Sequence, residues 1–225
     1  MKHSWQVSQR AAARIQLELR KNVIPEDRFA IINTVAGVDV SYPAHRACTR
    51  AAVVVLDINS LVQIDSALAQ RKTSFPYIPG LLSFREIPAI LDAFARIGKN
   101  PDLLLCDGHG LAHPRRFGLA CHIGVLLDIP TIGVAKSLLT GEHEQLDQPR
   151  GSFQPLLDED QVIGAVVRTR TSVRPVYVSV GHRISLETAV EFVLQCSPRY
   201  RLPEPIRSAH RLSSSKPDLH PPTSG

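Results

Sequence analysis

Pro-Asp-Leu-Leu-Leu-Cys-Asp-Gly-His-Gly, residues 101–110, contains a short apolar run that ends in an acidic residue and two glycines. The run at 102–106 predicts a buried strand, and helical spacing predicts a helix on either side of it, at 84–97 and 115–127. A second buried strand is predicted at 131–135. Because strand and helix alternate here, we expect the two strands to pair in parallel through a right-handed crossover.

Upstream of this unit, three β-type runs follow a predicted first helix. The helix is expected to begin with Ser4 as its N-cap and to end near Asn22. The strands are predicted at 35–41, 51–57 and 61–73. Turn chemistry between the second and third strands indicates an antiparallel hairpin.

Downstream, residues 161–168 and 175–180 predict two further strands, and residues 185–196 predict a helix. The order of elements indicates an α/β protein with a ribonuclease H-like mixed sheet, three antiparallel strands followed by parallel strands, flanked by helices. We expect one domain over residues 1–212. The Ser- and Pro-rich residues 213–225 predict a disordered tail.

The composition is that of an ordinary globular protein. The chain has 225 residues, of which 44% are hydrophobic and 21% charged, enough for one α/β domain. No run approaches the ~20 apolar residues that a membrane-spanning helix needs. The first 20 residues lack the apolar centre of a secretory signal. We therefore expect a cytoplasmic protein with no membrane partner.

The cysteines and the arginines each leave two interpretations open. The four cysteines are far apart without a Cys-x-x-Cys pair, so buried free thiols fit better than disulfides or zinc ligands. The net charge is +5, and arginines are frequent from Arg168 onward. This distribution indicates either a solvated basic face or a surface for nucleic acid.

Three acidic residues are distinguished by their positions. Asp39 lies inside an apolar strand, where an ionised carboxylate is unfavourable unless it is paired or bound to a cation. Asp107 ends the apolar run quoted above, and α/β proteins place ligand sites at the carboxyl ends of parallel strands. Glu86 lies near the start of a predicted helix, where stabilising the helix dipole is an alternative role. Carboxylates that converge at the centre of a sheet would select a hard cation such as Mg²⁺ or Mn²⁺.

Two further segments carry polar groups close to these acids. His109 and His113 are four residues apart, which on a helix would suggest zinc, but the neighbouring glycines and Pro114 predict a loop. His113 beside a metal could handle a water proton or a phosphate, whereas His109 is expected to be structural. Lys136 ends the strand at 131–135, where it could contact a phosphate or form a salt bridge.

Residues 75–80, Phe-Pro-Tyr-Ile-Pro-Gly, form an unusual loop. Pro76 and Pro79 fix the backbone on either side of Tyr77 and Ile78. A braced loop that presents apolar side chains suits insertion between bases. Packing of the loop on its own domain is the alternative.

These segments resemble the endonuclease V family. The matching stretches run in the family's order and comprise residues 36–42, 76–86, 101–118, 130–137, 181–183 and 200–207. Pro-Tyr-Ile-Pro-Gly together with Asp-Gly-His-Gly makes the match highly specific. The resemblance implies a ribonuclease H-like DNA repair endonuclease that depends on Mg²⁺, with Mn²⁺ as a substitute. It would cleave the second phosphodiester bond on the 3′ side of a deoxyinosine, leaving 3′-hydroxyl and 5′-phosphate ends.

The resemblance also implies roles for individual residues. The implied metal ligands are Asp39, Glu86 and Asp107. The implied catalytic set adds Lys136, His113 and His210, the last at a position where the family carries His or Asp beside the metal. The implied DNA contacts are Pro76, Tyr77, Ile78, Pro79, Gly80, Gly108 and Lys136, with residues 76–79 as a strand-separating wedge.

Two other functions remain open at this point. One is a ribonuclease that acts on inosine in RNA, which differs from the DNA enzyme in its response to a 2′-hydroxyl. The other is a non-catalytic nucleic-acid-binding module, which the acidic trio disfavours because carboxylates repel phosphates unless a metal intervenes. The expected partner is deoxyinosine-containing DNA, with inosine RNA as an alternative, and the expected state is a monomer.

Overall fold

A mixed β-sheet forms the framework of the protein in the computed structural model, which describes residues 3–43 and 47–215. Within these residues the strand order is β3-β2-β1-β4-β5-β8-β7-β6. The strands are β1 (Thr34–Ser41), β2 (Cys48–Asp57), β3 (Gln63–Lys72), β4 (Leu103–Cys106), β5 (Thr131–Ala135), β6 (Phe153–Asp158), β7 (Gln161–Val167) and β8 (Val176–His182). The helices are α1 (Gln9–Leu19), α2 (Leu82–Phe94), α3 (Leu119–Leu127), α4 (Leu186–Gln195) and α5 (Glu204–Ser214).

The pairing of the strands confirms the predicted ribonuclease H-like sheet. Strands β1, β2 and β3 are antiparallel neighbours, and β4 and β5 add to β1 in parallel. Strands β8, β7 and β6 extend the sheet in antiparallel fashion. Strand β6 was not predicted, because Pro155 interrupts its β-type pattern. The strand tolerates this proline because it lies at the edge of the sheet, where a missing N–H is acceptable.

Helices cover both faces of the sheet. Alternate residues of a strand point to opposite faces, so Ala36 and Val38 of β1 pack under α2 and α3. Val35 on the same strand packs under α4 and α5. Asp39 has the same parity as Val35 and therefore points toward α5.

The first two helices differ in detail from the prediction. The N-cap of α1 is Ser8 rather than Ser4, because the Ser8 hydroxyl accepts a hydrogen bond from the Ala11 N–H. Helix α2 begins two residues earlier than expected, which places Pro88 in its second turn. The helix therefore loses one main-chain hydrogen bond at Pro88.

Helix α3 begins at Leu119, four residues later than predicted. Arg116 adopts a left-handed backbone conformation (φ 53°), which an α-helix does not accommodate. Gly118 then brings its backbone against the carbonyl of His109, where a Cβ would lie 2.2 Å from the oxygen. Residues 107–118 are thus a loop, which confirms the loop predicted around His109 and His113 and corrects the helix predicted for residues 115–118.

Helix α5 was not predicted, and it changes the expected end of the domain. It continues to Ser214, past the predicted boundary at Leu212, and Ser213 is buried. The prediction of a tail starting at 213 was therefore wrong for these residues, because Ser213 faces the sheet. The rest of the predicted tail, 216–225, lies outside the described residues.

Burial and hydrogen bonding answer the question about the cysteines and assign a role to one of the arginines. All four cysteines are free and buried. Arg168 is also buried, and its guanidinium donates to the carbonyls of Leu146, Asp147 and Val173, so it is structural and not part of a basic face. No helix in the described parts of the chain is long and apolar enough to span a membrane.

Helix α5 lies very close to β1 at Gly37. A Cβ at Gly37 would lie 2.1 Å from the carbonyl carbon and oxygen of Pro205 at the start of α5. Backbone atoms cannot turn away as a side chain can, so the helix has to shift. We expect Gly37→Ala to lower the free energy of unfolding by about 1–3 kcal/mol, measured by urea denaturation. Gly98→Ala is the matched control, since its Cβ would meet only the Asp65 carboxylate at 3.7 Å. Equal stability of the two variants would contradict the close packing of α5.

Candidate active site

The register of two parallel strands brings the first two predicted acids together. Val38 of β1 pairs with Cys106 of β4, and the next residue of each strand segment is Asp39 or Asp107. The two carboxylates therefore lie side by side at the carboxyl ends of neighbouring parallel strands, the location at which α/β proteins place ligands.

Glu86 reaches the same place from α2. It is 8% exposed, and its Oε1 accepts a hydrogen bond from the Tyr42 hydroxyl at 3.0 Å. The pKa of Glu86 is raised to about 8, first by burial and further by the negative charges of Asp39 and Asp107. Burial also raises the pKa of Asp39, and the charge of Asp107 adds to that effect. The charge of Asp107 thus raises the pKa of both Asp39 and Glu86, and the charge of Asp39 also raises that of Glu86.

The three acids line one cavity of about 160 Å³ together with apolar side chains. Their oxygen-only donor set fits a hard divalent cation such as Mg²⁺ or Mn²⁺, which would offset the mutual repulsion that raises the pKa values. In the described residues no three Asp, Glu, His or Cys side chains stand as a ready metal site. The carboxylates are instead turned toward protein donors, so binding of a cation would require side-chain rotation.

Asp39 receives its protein donors from α5. Its Oδ2 accepts a hydrogen bond from the Ser213 hydroxyl at 2.5 Å and contacts His210 Nδ1 at 3.3 Å. His210 thus lies beside the acids, as the resemblance implied. Ser213 was missed, although residues 210 and 213 are separated by about one helical turn and share a face. Tyr42 was also missed, since its position three residues beyond Asp39 carried no signal of a contact with Glu86.

Lys136 follows β5 and forms an ion pair with Asp107, with Nζ 2.5 Å from Oδ2. Its side chain is about half exposed, so the ammonium group also faces the surface above the acids. Because the ion pair leaves about half of the side chain exposed, the two roles considered for Lys136 do not exclude each other.

A second cavity of about 270 Å³ adjoins the acidic one. Leu119 lines both cavities, and Gly108 of the second follows Asp107 of the first. The wall of the second cavity is formed by the loop at 77–80, the loop after β4 and the segment after β5. The lining residues are Gln16, Tyr77, Ile78, Pro79, Gly80, Leu82, Ser83, Gly108, His109, His113, Gly118, Leu119, Ser137 and Leu139.

The loop at 75–80 has one buried end and one exposed end. Phe75 is buried in a cluster with Phe84 and Leu81, which fixes the loop to the start of α2. Tyr77, in contrast, is 71% exposed at the mouth of the second cavity. Pro76 faces a different cavity, beside Tyr42 and Arg85. The loop is therefore anchored on its domain and still presents an aromatic ring to the outside.

His113 is held by hydrogen bonds on both ring nitrogens. Its Nε2 donates to the Gly80 carbonyl at 3.0 Å, and its Nδ1 accepts from the Arg115 N–H at 3.1 Å. These partners require the neutral ring with the proton on Nε2. The structure thus uses His113 to hold the loop, and this geometry does not favour the proton-transfer role considered from the sequence.

Comparison with known proteins shows the family to which this chain belongs. The family model for endonuclease V matches residues 17–211. The chain belongs to the endonuclease V family. Endonuclease V from Nostoc sp. is 57% identical over 215 residues, 95% of this chain and 97% of that protein. The family membership identifies the chain as a nuclease.

Solved structures of the family superpose on more than nine-tenths of this chain. The crystal structure of endonuclease V from Streptomyces avermitilis has a TM-score of 0.89 at 45% identity, covering 95% of this chain and 94% of that one. Endonuclease V from Ciona intestinalis, crystallised with a 23-mer DNA containing an inosine followed by a ribo-adenosine, has a TM-score of 0.79 at 30% identity. That match covers 92% of this chain and 97% of that chain.

The buried ring of His113 makes the stability of the fold depend on pH. Burial is the main reason that its pKa is lowered to about 4 from an ordinary 6.5. Between these values the unfolded chain binds a proton that the folded chain does not. The contribution of His113 to stability is therefore complete above about pH 7 and declines as the pH falls, by about 1 kcal/mol at pH 5.5.

His113→Gln should reduce this part of the pH dependence, since the glutamine amide can still donate to the Gly80 carbonyl but does not titrate. The measurement is urea unfolding of both proteins at pH 7.5 and pH 5.5. If the free energy of unfolding differed between the two pH values by the same amount in the variant as in the wild type, His113 would be charged in the folded protein at the lower pH.

Proposed function

We propose that this nuclease is a DNA repair endonuclease that cleaves the second phosphodiester bond 3′ to a deoxyinosine, producing 3′-hydroxyl and 5′-phosphate ends. The proposal includes dependence on Mg²⁺, with Mn²⁺ as a substitute. The observation that carries it is the pairing of two adjoining cavities, one lined by Asp39, Glu86 and Asp107 and the other by the loop at 77–80. The inosine-containing DNA bound by the Ciona relative supports the choice of lesion.

The acidic cavity supplies the residues for hydrolysis. Asp39, Glu86 and Asp107 would hold the cation. When bound, such a cation lowers the pKa of water and neutralises charge that develops on a phosphate. Ser213 fixes the orientation of the Asp39 carboxylate by its hydrogen bond. Lys136, at the exposed rim, would attract the phosphate as a point charge.

The second cavity would take the base that leaves the helix. Its wall presents backbone of Gly80 and Gly108, apolar side chains and few charged groups. Such a lining suits an uncharged, flat ligand read by hydrogen bonds to the backbone. Tyr77 at the mouth would stack in the gap left in the duplex.

The test is cleavage of a duplex with one deoxyinosine, compared with the same duplex carrying deoxyadenosine, with Mg²⁺ or with a chelator. Mapping the 3′ and 5′ ends of the products locates the cut. We expect Asp107→Asn to reduce the rate at least ~100-fold while binding to the inosine duplex persists, because a ligand is lost but the cavities remain. Asp65→Asn, at a partly exposed acid on β3 that lines neither cavity, is the control. Near-normal cleavage by Asp107→Asn across a Mg²⁺ titration would reject the metal-ligand assignment.

RNA is the second candidate substrate. The DNA bound to the Ciona protein has a ribo-adenosine after its inosine. The effect of a 2′-hydroxyl near the cut on the cleavage rate should therefore be tested. Three matched strands separate the possibilities: all deoxyribose, deoxyribose with one ribonucleotide after the inosine, and all ribose. Faster cleavage of the all-ribose strand would replace the DNA repair proposal by a ribonuclease.

Tyr77→Ala tests the wedge. Flipping a paired base requires a few kcal/mol of unstacking and unpairing, and less when the strand is single. An aromatic side chain can return about 1–3 kcal/mol by stacking. The variant should therefore lose about 10-fold more activity on duplex than on single-stranded inosine DNA. Val62→Ala, an exposed apolar residue before β3, is the control. Equal losses on both substrates together with a lower melting temperature would indicate a merely packed loop.

A further inference from the structure

The Gly80 carbonyl receives more hydrogen bonds than a main-chain oxygen usually accepts. Three side chains donate to it: Arg115 Nη2 at 2.6 Å, His113 Nε2 at 3.0 Å and Gln16 Nε2 at 3.1 Å. A carbonyl oxygen has two lone pairs, so three donors hold the peptide plane between Gly80 and Leu81 in one orientation. Gly80 itself has φ 77°, a conformation that only glycine adopts readily.

Two of the donors are tied to each other. Gln16 Oε1 accepts a hydrogen bond from Arg115 Nε at 2.6 Å, and Gln16 Nε2 also donates to the Phe117 carbonyl at 3.0 Å. Gln16 is 1% exposed, on a helix whose other polar side chains face outward. A buried amide is retained in a fold when its hydrogen bonds are satisfied. Here the Gln16 side chain bonds to Gly80, Arg115 and Phe117, which belong to the loops that line the second cavity.

The orientation of this peptide determines what the cavity offers to a base. Deamination of adenine replaces an amino donor by a carbonyl acceptor and places a proton on the neighbouring ring nitrogen. Because the two bases have nearly the same shape, only the pattern of donors and acceptors can tell them apart. Gln16, His113 and Arg115 already donate to the Gly80 carbonyl, so its lone pairs are occupied and this acceptor is not offered to a base in the cavity that Gly80 lines. A glycine freed from these donors could turn the peptide over and reverse the pattern.

We propose that Gln16 and Arg115 are positioning residues that fix the Gly80 peptide and thereby set the discrimination between a deaminated purine and adenine. Helix α1, which contributes nothing to the acidic cavity, thus contributes to specificity. The inference rests on the proposed function of the second cavity, and it assigns a role to two residues whose hydrogen bonds go to the loops and not to the three proposed metal ligands.

The experiment compares Gln16→Leu with wild type in binding to two duplexes, identical except for hypoxanthine or adenine at one position. Fluorescence anisotropy without divalent cations measures both dissociation constants in the absence of cleavage. We expect the variant to lose roughly 10-fold of its preference for hypoxanthine, with affinity for the adenine duplex within about twofold of wild type. A purely structural role would lower the melting temperature and leave the preference unchanged.

Gln9→Leu is the matched control, because it makes the same change at an exposed position of the same helix and should retain the wild-type preference. Arg115→Lys keeps the positive charge but cannot contact Gln16 and Gly80 at once, so it should behave like Gln16→Leu. It decides the question if Gln16→Leu is unfolded at the assay temperature. Because both changes break one network, the double variant should be no worse than the poorer single variant.

Three results would overturn the inference. A folded Gln16→Leu, or in its place a folded Arg115→Lys, with wild-type preference shows that the network does not govern discrimination. Additive losses in the double variant show that the two residues act separately. Equal binding of both duplexes by the wild-type protein would contradict the proposed function itself. This outcome needs no variant, so it is distinguished from a failure of the further inference alone.

Discussion

The burial of negative charge at the centre of the sheet is the constraint on which the rest of the structure depends. Asp39 lies near the carboxyl end of β1, Asp107 directly follows the neighbouring parallel strand β4, and Glu86 of α2 lines the same cavity. Carboxylates this close destabilise one another and lose hydration as well. The surrounding fold compensates with donors: the Ser213 hydroxyl and His210 at Asp39, the Tyr42 hydroxyl at Glu86, and the Lys136 ammonium at Asp107.

The donors at Asp39 depend on how closely α5 lies on the sheet. Only a glycine at position 37 admits the backbone of Pro205, because any side chain would occupy the same space. Close contact at the start of the helix places Ser213, about two turns further on, within reach of Asp39. Ser41 completes the arrangement by donating to the Ser213 carbonyl at 2.7 Å. The close packing of Gly37 against Pro205 therefore also determines the hydrogen bond between Ser213 and Asp39 in the active site.

Much of the fold follows from local patterns in the sequence. The apolar runs of β1, β4 and β5 and the helical spacing of α2 and α4 predict the central sheet and its layers. The patterns fail where local and tertiary preferences differ. Pro155 hides β6, an edge strand that tolerates proline. Helix α5 was not predicted because it contains several polar residues and begins between Pro203 and Pro205. Its buried face is recognised only once the helix is packed on the sheet. The start of α3 depends on Arg116 and Gly118, whose backbone conformation no periodicity reveals.

The active site is less predictable than the fold. The positions of Asp39, Glu86 and Asp107 indicated a cation site at the centre of the sheet, and the position of Lys136 indicated a phosphate contact or a salt bridge. His210, in contrast, was included only because of the family resemblance. The convergence of these residues depends on chain segments far apart in sequence. Hydrogen-bond partners such as Ser213, Tyr42 and Gln16 are less visible still, because an ordinary serine, tyrosine or glutamine carries no local sign of its partner.

The rate at which the buried cysteines are alkylated would measure how often this fold opens. Alkylating reagents attack the thiolate, and burial raises the pKa of the Cys196 thiol to about 12 and those of Cys106 and Cys121 further. A thiol in this state reacts only after its segment has opened to solvent. Cys106 lies next to Asp107 in the central strand, Cys121 in α3 and Cys196 at the end of α4, so their labelling rates would report separately on the heart of the sheet and on the layers that cover it.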